Sequence, residues 1–303
     1  MLQYWQLNAR EVAGMLRRKA YQRLLDWKNA PNHKALCIFG ARQIGKTTLI
    51  RKFGKENYQN YVEINFVSDT DAAGIFAGDL DINTILTNLT AYTRQPMEPG
   101  QTLIFFDEVQ ECPNVRTAIK FLVEDGRFDY IESGSLLGTK YKTVKSLPVG
   151  FEEIYRMYPM DFEEFLWANG VQEATVQYLK TCMDTGTQVL PTVHDTMSKL
   201  FYSYIVVGGM PDVVQTYVDT HDIGKVVAVQ ASLLELYRQD ISQYADGNEK
   251  LKIRAIFDAI PSQLNDKNRR FLVNSLSPSA RLARYEDSFQ WLSDAGVALP
   301  CYN

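Results

Sequence analysis

The sequence contains Gly40-Ala41-Arg42-Gln43-Ile44-Gly45-Lys46-Thr47, a segment that matches the eight-residue phosphate-loop (Walker A) pattern and thereby indicates the fold. Its two glycines let the backbone turn so that successive N–H groups point at phosphate oxygens. Lys46 would bridge the β- and γ-phosphates of a nucleotide, and the Thr47 hydroxyl would ligate Mg²⁺. The motif therefore predicts a nucleotide site with these binding residues: Gly40, Ala41, Arg42, Gln43, Ile44, Gly45, Lys46, Thr47 and Thr48.

The flanking sequence supplies the strand and helix that this motif requires. Residues 35–39 (ALCIF) are apolar and precede a glycine, which is typical of a buried strand, and residues 48–53 continue as a helix whose N-terminal end favours anions. Further strands are predicted at 61–66, 103–106, 128–132 and 153–158, and helices at 11–28, 82–93 and 114–124. Strands that alternate with helices indicate parallel βαβ units and an α/β sheet covered on both faces.

Two carboxylates follow the apolar strand at 103–106. Asp107 stands at the carboxyl end of the strand, where it would hold Mg²⁺ directly or through water. Glu108, one residue further, is placed to polarise an attacking water as a general base. An acidic turn after a strand is common by itself, but its pairing with the phosphate loop favours a hydrolytic site, with Lys46 and Glu108 as catalytic residues.

A hydroxyl after the next strand is a further candidate catalytic residue. In Ile131-Glu132-Ser133-Gly134-Ser135, either Ser133 or Ser135 could hydrogen-bond the γ-phosphate or its water, and a simple serine-glycine turn is an equal alternative. No arginine finger can be assigned among Arg116, Arg127 and Arg156.

Beyond Pro159 the pattern becomes helical. Asp161 with Glu164 is a capping signal, and residues 196–219 read as two helices broken by Gly208-Gly209. Apolar stripes continue from Lys225, and a last helix is predicted from Ser277-Pro278 to Gly296.

These segments together resemble a bacterial and archaeal family of AAA-type P-loop ATPases that carry a C-terminal domain of unknown function. The similarity rests on GARQIGKT at 40–47, FFDEVQECP at 105–113, IESGS at 131–135, YPMDFEEFLWANG at 158–170 and VVGGMPDVV at 206–214. The resemblance implies an ASCE-type sheet of strand order 5-1-4-3-2, a helical lid and then a winged-helix domain. The domains expected are an N-terminal helix at 1–33, the ATPase core at 34–159, the lid or linker at 160–224 and an incomplete winged helix at 225–303.

Two departures from this family limit what can be carried over. Relatives often have Gly-Arg before the final core strand, where this chain reads Pro148-Val149-Gly150, so no transition-state arginine is expected there. The sequence also stops soon after residues 279–295, which resemble a winged-helix recognition helix. The wing strand and the nuclease-like domain of relatives are absent from the sequence, which is expected of a fragment, a truncated gene product or a naturally short paralogue. No nuclease chemistry is expected.

Composition narrows the class of protein and its partners. With 303 residues, 46% apolar and 22% charged, the chain is neither collagen-like nor disordered, and it shows no membrane-length apolar segment or signal peptide. Its four cysteines are scattered, which favours a cytoplasmic protein with reduced thiols. Residues 1–55 hold twelve Lys and Arg against two acids, whereas residues 56–224 hold ten against 25. We read this asymmetry as complementarity around a nucleotide site or between subunits of a homo-oligomer.

The leading hypothesis is therefore an ATPase that slowly hydrolyses Mg-ATP to ADP and phosphate and thereby drives a conformational switch. One alternative is a nucleotide-regulated protein that binds DNA or another protein through the winged-helix region, with little turnover. Helix 279–295 offers only Arg281 and Arg284 against three acids, which disfavours DNA. A third reading makes the nucleotide a structural ligand of an assembly protein.

Overall fold

Five parallel strands form the centre of the computed structural model, which describes residues 15–78, 80–134, 150–245, 247–267, 270–277 and 281–301. The strands are β1 (Ala35–Phe39), β2 (Asn60–Asn65), β3 (Thr102–Asp107), β4 (Asp129–Gly134) and β5 (Glu152–Arg156). They pair in the order β2-β3-β4-β1-β5, and every pairing is parallel. The predicted α/β class and the strand order 5-1-4-3-2 are confirmed.

Helices cover both faces of this sheet because its central strands are apolar on both sides. The helices of this part are α1 (Lys19–Asn29), α2 (Lys46–Asn57), α3 (Ile82–Thr93) and α4 (Pro113–Asp125). Phe105 of β3 packs on one face with α1 and α2, whereas its neighbour Phe106 packs on the other with α3 and α4. The alternation of side chains along a strand thus supplies both layers of the core.

The first helix begins later than the sequence pattern predicts. We expected a helix over 11–28, but residues 15–18 are not helical and α1 starts at Lys19, while residues 1–14 lie outside the described part. Arg18 has an extended backbone (φ −125°, ψ 136°) and a buried side chain, so tertiary contacts override the helical pattern before Lys19. From Ala20 onward the predicted apolar face is buried, with Leu24 and Trp27 in the core.

Four helices follow the sheet, and we call them the lid helices. They are α5 (Phe162–Ala168), α6 (Glu173–Thr185), α7 (Pro191–Val207) and α8 (Pro211–Thr220). Asp161 and Glu164 form the predicted capping box at the start of α5. Gly209 separates α7 from α8, and a Cβ there would lie only 2.0 Å from the Met160 carbonyl oxygen, so this close approach requires glycine.

The last part of the chain is helical throughout its described residues. It contains α9 (Ile223–Tyr244), α10 (Gly247–Asn265), 3₁₀ turns at Val273–Ser275 and Leu282–Arg284, and α11 (Glu286–Asp294). Ile241, Ile253 and Trp291 belong to the apolar cluster that these helices share. No strand occurs among the described residues of 225–303, so the winged-helix form and the domain boundaries stay predictions.

The final helix is shorter than the predicted helix at 279–295. Pro278 to Ala280 lie outside the described residues, Arg281 has an extended backbone, and α11 begins at Glu286. From Tyr285 onward, side chains such as Trp291 and Leu292 pack against the cluster, whereas Leu282 is exposed. Helix α11 therefore carries three acids and no basic residue.

None of the helices in the described ranges is long and apolar enough to cross a membrane.

Candidate functional site

The phosphate loop lies between β1 and α2, at the carboxyl edge of the sheet. Gln43 and Gly45 adopt left-handed backbone conformations, with φ of 64° and 87°. Helix α2 starts directly at Lys46, without a side-chain cap and without an acid in its first turn. Its free N–H groups and positive end are therefore available to an anion held by the loop.

Lys46 is buried beneath the loop, as a lysine that reaches phosphates would be. Its Nζ donates to the carbonyl oxygens of Gly40 and Ala41 at 2.9 and 2.8 Å. Burial lowers the pKa of Lys46 to about 8, against the opposing attraction of Glu108 and Asp107. Burial thus disfavours the ammonium form, and the anionic phosphates of a nucleotide would favour it.

Asp107 at the end of β3 is the centre of a polar cluster. Its Oδ2 accepts hydrogen bonds from the Thr47 hydroxyl and the Asn65 amide, both at 2.9 Å. Its Oδ1 accepts from the Ser133 hydroxyl and, at 3.1 Å, from the Glu108 backbone N–H. Around Asp107 the structure thus places three residues that the sequence predicted, namely Thr47, Glu108 and Ser133, and one that it did not, Asn65.

Sequence reasoning could have found Asn65. This residue ends β2 and is the register partner of Asp107 on the neighbouring strand. The predicted strand order already placed these two strand ends side by side, so a polar residue at the end of β2 could have been predicted to lie next to Asp107.

Glu108 leaves the sheet edge in a left-handed conformation, with φ of 56°. Its Oε2 accepts a hydrogen bond of 2.5 Å from the Gln110 side-chain amide, and Gln110 is itself buried. Backbone strain at a non-glycine residue and a second side chain that holds the carboxylate both fix where Glu108 points. Gln110 was not among the predicted site residues, although it lies in the FFDEVQECP segment at 105–113.

Arg18 holds the loop from the other side. Its guanidinium donates to the Ile44 carbonyl and the Tyr158 carbonyl, both at 2.7 Å, and to Glu164 of α5 at 3.1 Å. The side chains of Arg18 and Glu164 are 7% and 5% exposed, so the ion pair is almost fully desolvated. This arginine ties the loop to the lid helices, a role that the sequence did not indicate.

The remaining predicted residues occupy different environments around the loop. Ala41 and Ile44 are buried, Gln43 and Thr48 are exposed, and Arg42 pairs with Asp240 of α9 at 2.5 Å. Gly40 packs against β5, since a Cβ there would lie 2.3 Å from the Met157 carbonyl oxygen. Ser135, the alternative to Ser133, lies outside the described residues.

The three arginines considered as fingers are engaged within the chain. Arg116 pairs with Glu152 at 2.5 Å, and Arg127 pairs with Asp125 at 2.7 Å. Arg156 donates to the Ser293 carbonyl at 2.5 Å.

A second buried polar cluster lies within the sheet, apart from the loop. Potential ligand atoms of Cys37, Glu132 and Glu152 lie within 4.8 Å of one another. Burial and the neighbouring Glu152 raise the pKa of Glu132 well above its usual range. The guanidinium of Arg116 supplies the cluster's positive charge through its ion pair with Glu152. A proton on Glu132 and this arginine together account for the charge, so the cluster is read as structural.

Comparison with known protein families gives two matches in sequence. Residues 32–166 match a family described as an AAA domain. Residues 198–303 match a family described as a domain of unknown function (DUF8612). No curated protein matches the chain.

Comparison with solved structures gives similarities at low identity. The Holliday junction branch migration motor RuvB of Thermotoga maritima is 13% identical, with 93% of this chain and 88% of that chain covered and a TM-score of 0.41. The ORC1 protein of Aeropyrum pernix in complex with DNA is 13% identical, with 93% and 84% covered and a TM-score of 0.39.

Proposed function

We propose that this chain binds Mg-ATP, hydrolyses it to ADP and phosphate, and so drives a conformational switch, because residues 32–166 match an AAA domain and contain the phosphate loop. The observation that carries the proposal is the direct contact of Thr47 with Asp107, beside the buried Lys46. This arrangement combines a phosphate-binding cation with a pair of oxygen ligands at one edge of the sheet.

The oxygen donors present here fit Mg²⁺. Mg²⁺ prefers hydroxyl, carboxylate and water oxygens, and it takes one or two of them from the protein and others from phosphate. The Thr47 hydroxyl and the Asp107 carboxylate would hold it, while Asn65 and Ser133 orient Asp107 through their hydrogen bonds. When bound, Mg²⁺ would neutralise charge that develops on the phosphate oxygens.

Lys46 would exchange its present partners for phosphate oxygens. Its Nζ now bonds the Gly40 and Ala41 carbonyls, and a polyphosphate in the loop offers a stronger, charge-assisted acceptor. The negative phosphates would raise the pKa of Lys46 again and keep the ammonium protonated.

Glu108 would act as the general base in this scheme. Its carboxylate orients a water molecule in line with the γ-phosphate and accepts a proton from it as the water attacks. Gln110 sets the direction of that carboxylate through its 2.5 Å hydrogen bond. Ser133 is kept as a proposed catalytic residue, with support from its bond to Asp107 rather than from contact with a phosphate.

Phosphate release measured on the purified chain tests this proposal. We expect turnover that depends on Mg²⁺ in the wild type and none in Lys46→Ala. Lys55→Ala is a matched control, because Lys55 lies on the same helix and is exposed at its far end. Equal phosphate release from the wild type and Lys46→Ala would exclude the ATPase proposal.

An alternative function is a nucleotide-regulated binder with little turnover. Helix α11 carries no basic residue, and exposed apolar side chains such as Tyr202, Ile205 and Val227 lie on the lid helices and α9. These observations favour a protein partner over DNA. A DNA complex would weaken steeply as salt rises, whereas a protein complex through apolar side chains would persist.

Location and assembly belong to the same proposal. Cys37, Cys112 and Cys182 are buried free thiols, which supports the cytoplasm as the location. A homo-oligomer is proposed because Arg116, Arg127 and Arg156 are all engaged within the chain, so a transition-state arginine would come from a neighbouring copy. Light scattering with and without ATP tests this.

A further inference from the structure

Helix α9, which lies far from the phosphate loop in sequence, contacts that loop directly. The Arg42 guanidinium donates to Oδ1 of Asp240 at 2.5 Å. The Tyr237 hydroxyl donates to the Arg42 backbone carbonyl at 2.9 Å. Since Tyr237 and Asp240 are three residues apart, they share one face of α9, and this face holds both the side chain and the backbone of Arg42.

The Asp240 carboxylate is buried, and it lies close enough to Glu108 for the two negative charges to interact. Asp240 is only 5% exposed. Burial raises its pKa, the Arg42 guanidinium opposes that rise, and the negative charge of Glu108 adds to it. An acid so placed depends on Arg42 as its counter-ion and disfavours further negative charge nearby.

A second segment of the C-terminal part approaches the loop near the same point. Gly296 follows α11, and a Cβ there would lie 3.1 Å from the Ala41 backbone nitrogen. Three residues earlier, the Ser293 carbonyl accepts a hydrogen bond from Arg156 of β5. Two parts of the C-terminal region that are distant in sequence therefore lie against or beside the loop.

Helix α9 can transmit a change at Arg42 over a long distance. It has 22 residues, which at 1.5 Å per residue corresponds to about 33 Å. Val226 near the start of α9 and Leu233 at its middle pack in the cluster of the lid helices, and Ile241 near its end packs in the C-terminal cluster. A movement of Asp240 away from the loop would disturb both clusters.

We propose that Asp240 is the nucleotide-responsive counter-ion of Arg42, and that a nucleoside triphosphate in the loop competes with Asp240 for the Arg42 guanidinium. This inference rests on the proposed function, because it requires a triphosphate at the loop. The γ-phosphate brings negative charge that a diphosphate lacks, so ATP competes more strongly than ADP. Loss of the ion pair loosens α9, and the C-terminal region thereby responds to the presence of the γ-phosphate.

Dissociation constants for Mg-ATP and Mg-ADP test the competition. We expect Asp240→Asn to tighten ATP binding about tenfold, a usual size for coupling between two interactions, and ADP binding by less than about threefold. Glu235→Gln is the matched control, since Glu235 lies on the same helix, is exposed and pairs with Arg238. It removes the same charge and should leave both constants unchanged. Equal ATP affinity in Asp240→Asn and Glu235→Gln would overturn the inference.

Hydrogen exchange of the amides at 237–245 tests the release of α9. In the wild type, Mg-ATP should raise exchange there more than Mg-ADP does, and in Asp240→Asn exchange should already be high without nucleotide. Tyr237→Phe retains the ion pair but loses the bond to the Arg42 carbonyl. This variant should raise exchange to a smaller degree. If Asp240→Asn does not fold, Tyr237→Phe tests the release of α9 in its place. Unchanged exchange in Tyr237→Phe and in ATP-bound wild type would contradict the inference.

The Lys46→Ala variant separates the two proposals. If the wild type binds ATP no better than Lys46→Ala, the proposed function itself fails. If the wild type binds ATP and only the Asp240→Asn effects are missing, the proposed function stands and the role of Asp240 is refuted.

Discussion

Replacement of Arg18 by methionine is predicted to destabilise the fold strongly, although Arg18 lies outside every motif. Its guanidinium makes three hydrogen bonds, one of them within an ion pair to Glu164 whose partners are 7% and 5% exposed. Removal of one partner of a buried pair costs about 3–5 kcal/mol. Glu164 keeps bonds from the Lys19 and Asp161 backbone N–H groups, so we expect the lower end, about 3 kcal/mol.

Thermal unfolding measures this loss. For a domain of this size about 1 kcal/mol corresponds to roughly 2–4 °C, so Arg18→Met should lower the melting temperature by about 6–12 °C. Arg17→Met is the adjacent control, because Arg17 pairs with Glu173 on the surface, where a pair contributes at most about 1 kcal/mol. Addition of Glu164→Gln to Arg18→Met should restore part of the loss, since it removes the stranded charge. If Arg18→Met and Arg17→Met lower the melting temperature equally, the reasoning is wrong.

Three further predictions concern the site itself. With the pKa of Lys46 near 8 before nucleotide binds, ATP affinity should fall up to about tenfold per pH unit above pH 8, because the loop then presents a neutral amine to the phosphates. Titration calorimetry should show this break in the wild type and no break in Lys46→Arg. Asn65→Ala and Ser133→Ala should each raise the Mg²⁺ concentration needed for ATP binding by about tenfold, as loss of a residue that orients a metal ligand does; an unchanged Mg²⁺ titration would show that Asp107 is positioned without them. Gln110→Ala should lower kcat about tenfold with KM for ATP unchanged, since it frees the Glu108 carboxylate; a changed KM with constant kcat would place Gln110 in binding instead.

The elements that could be predicted from sequence are those whose signals are local. The glycines of the phosphate loop, the apolar run before Asp107 and the capping box at Asp161 each lie within a few residues. Together with the rule that successive βαβ units form parallel sheets, they were sufficient for the parallel sheet and for the position of Lys46 and Asp107, whereas the strand order was predicted from the family resemblance.

The residues that were missed act through contacts between distant segments. Arg18 meets Glu164, which lies 146 residues away, and Asp240 meets Arg42, which lies 198 residues away. The periodicity of a sequence does not predict contacts between residues so far apart. On a helical pattern Arg18 resembled any surface arginine, and burial alone reveals its role.

The predicted start of the helix at 279–295 was wrong for a related reason. A serine-proline signal indicated its start, yet helix formation in proteins depends on packing of an apolar face more than on local propensity. Here the face that packs begins near Glu286, where Ser288 bonds Glu249 and Trp291 enters the cluster. Tertiary contacts, rather than the start signal, set the boundary of α11.

The most direct test of ATP hydrolysis by Glu108 is the identity of the nucleotide that the chain retains after incubation with Mg-ATP and removal of free nucleotide. Wild type should retain ADP, and Glu108→Gln, which keeps the shape of the side chain but cannot accept a proton, should retain intact ATP. Lys55→Ala, a change at an exposed residue at the far end of α2, should retain ADP like the wild type. Intact ATP on the wild type, or ADP on Glu108→Gln, would contradict the account.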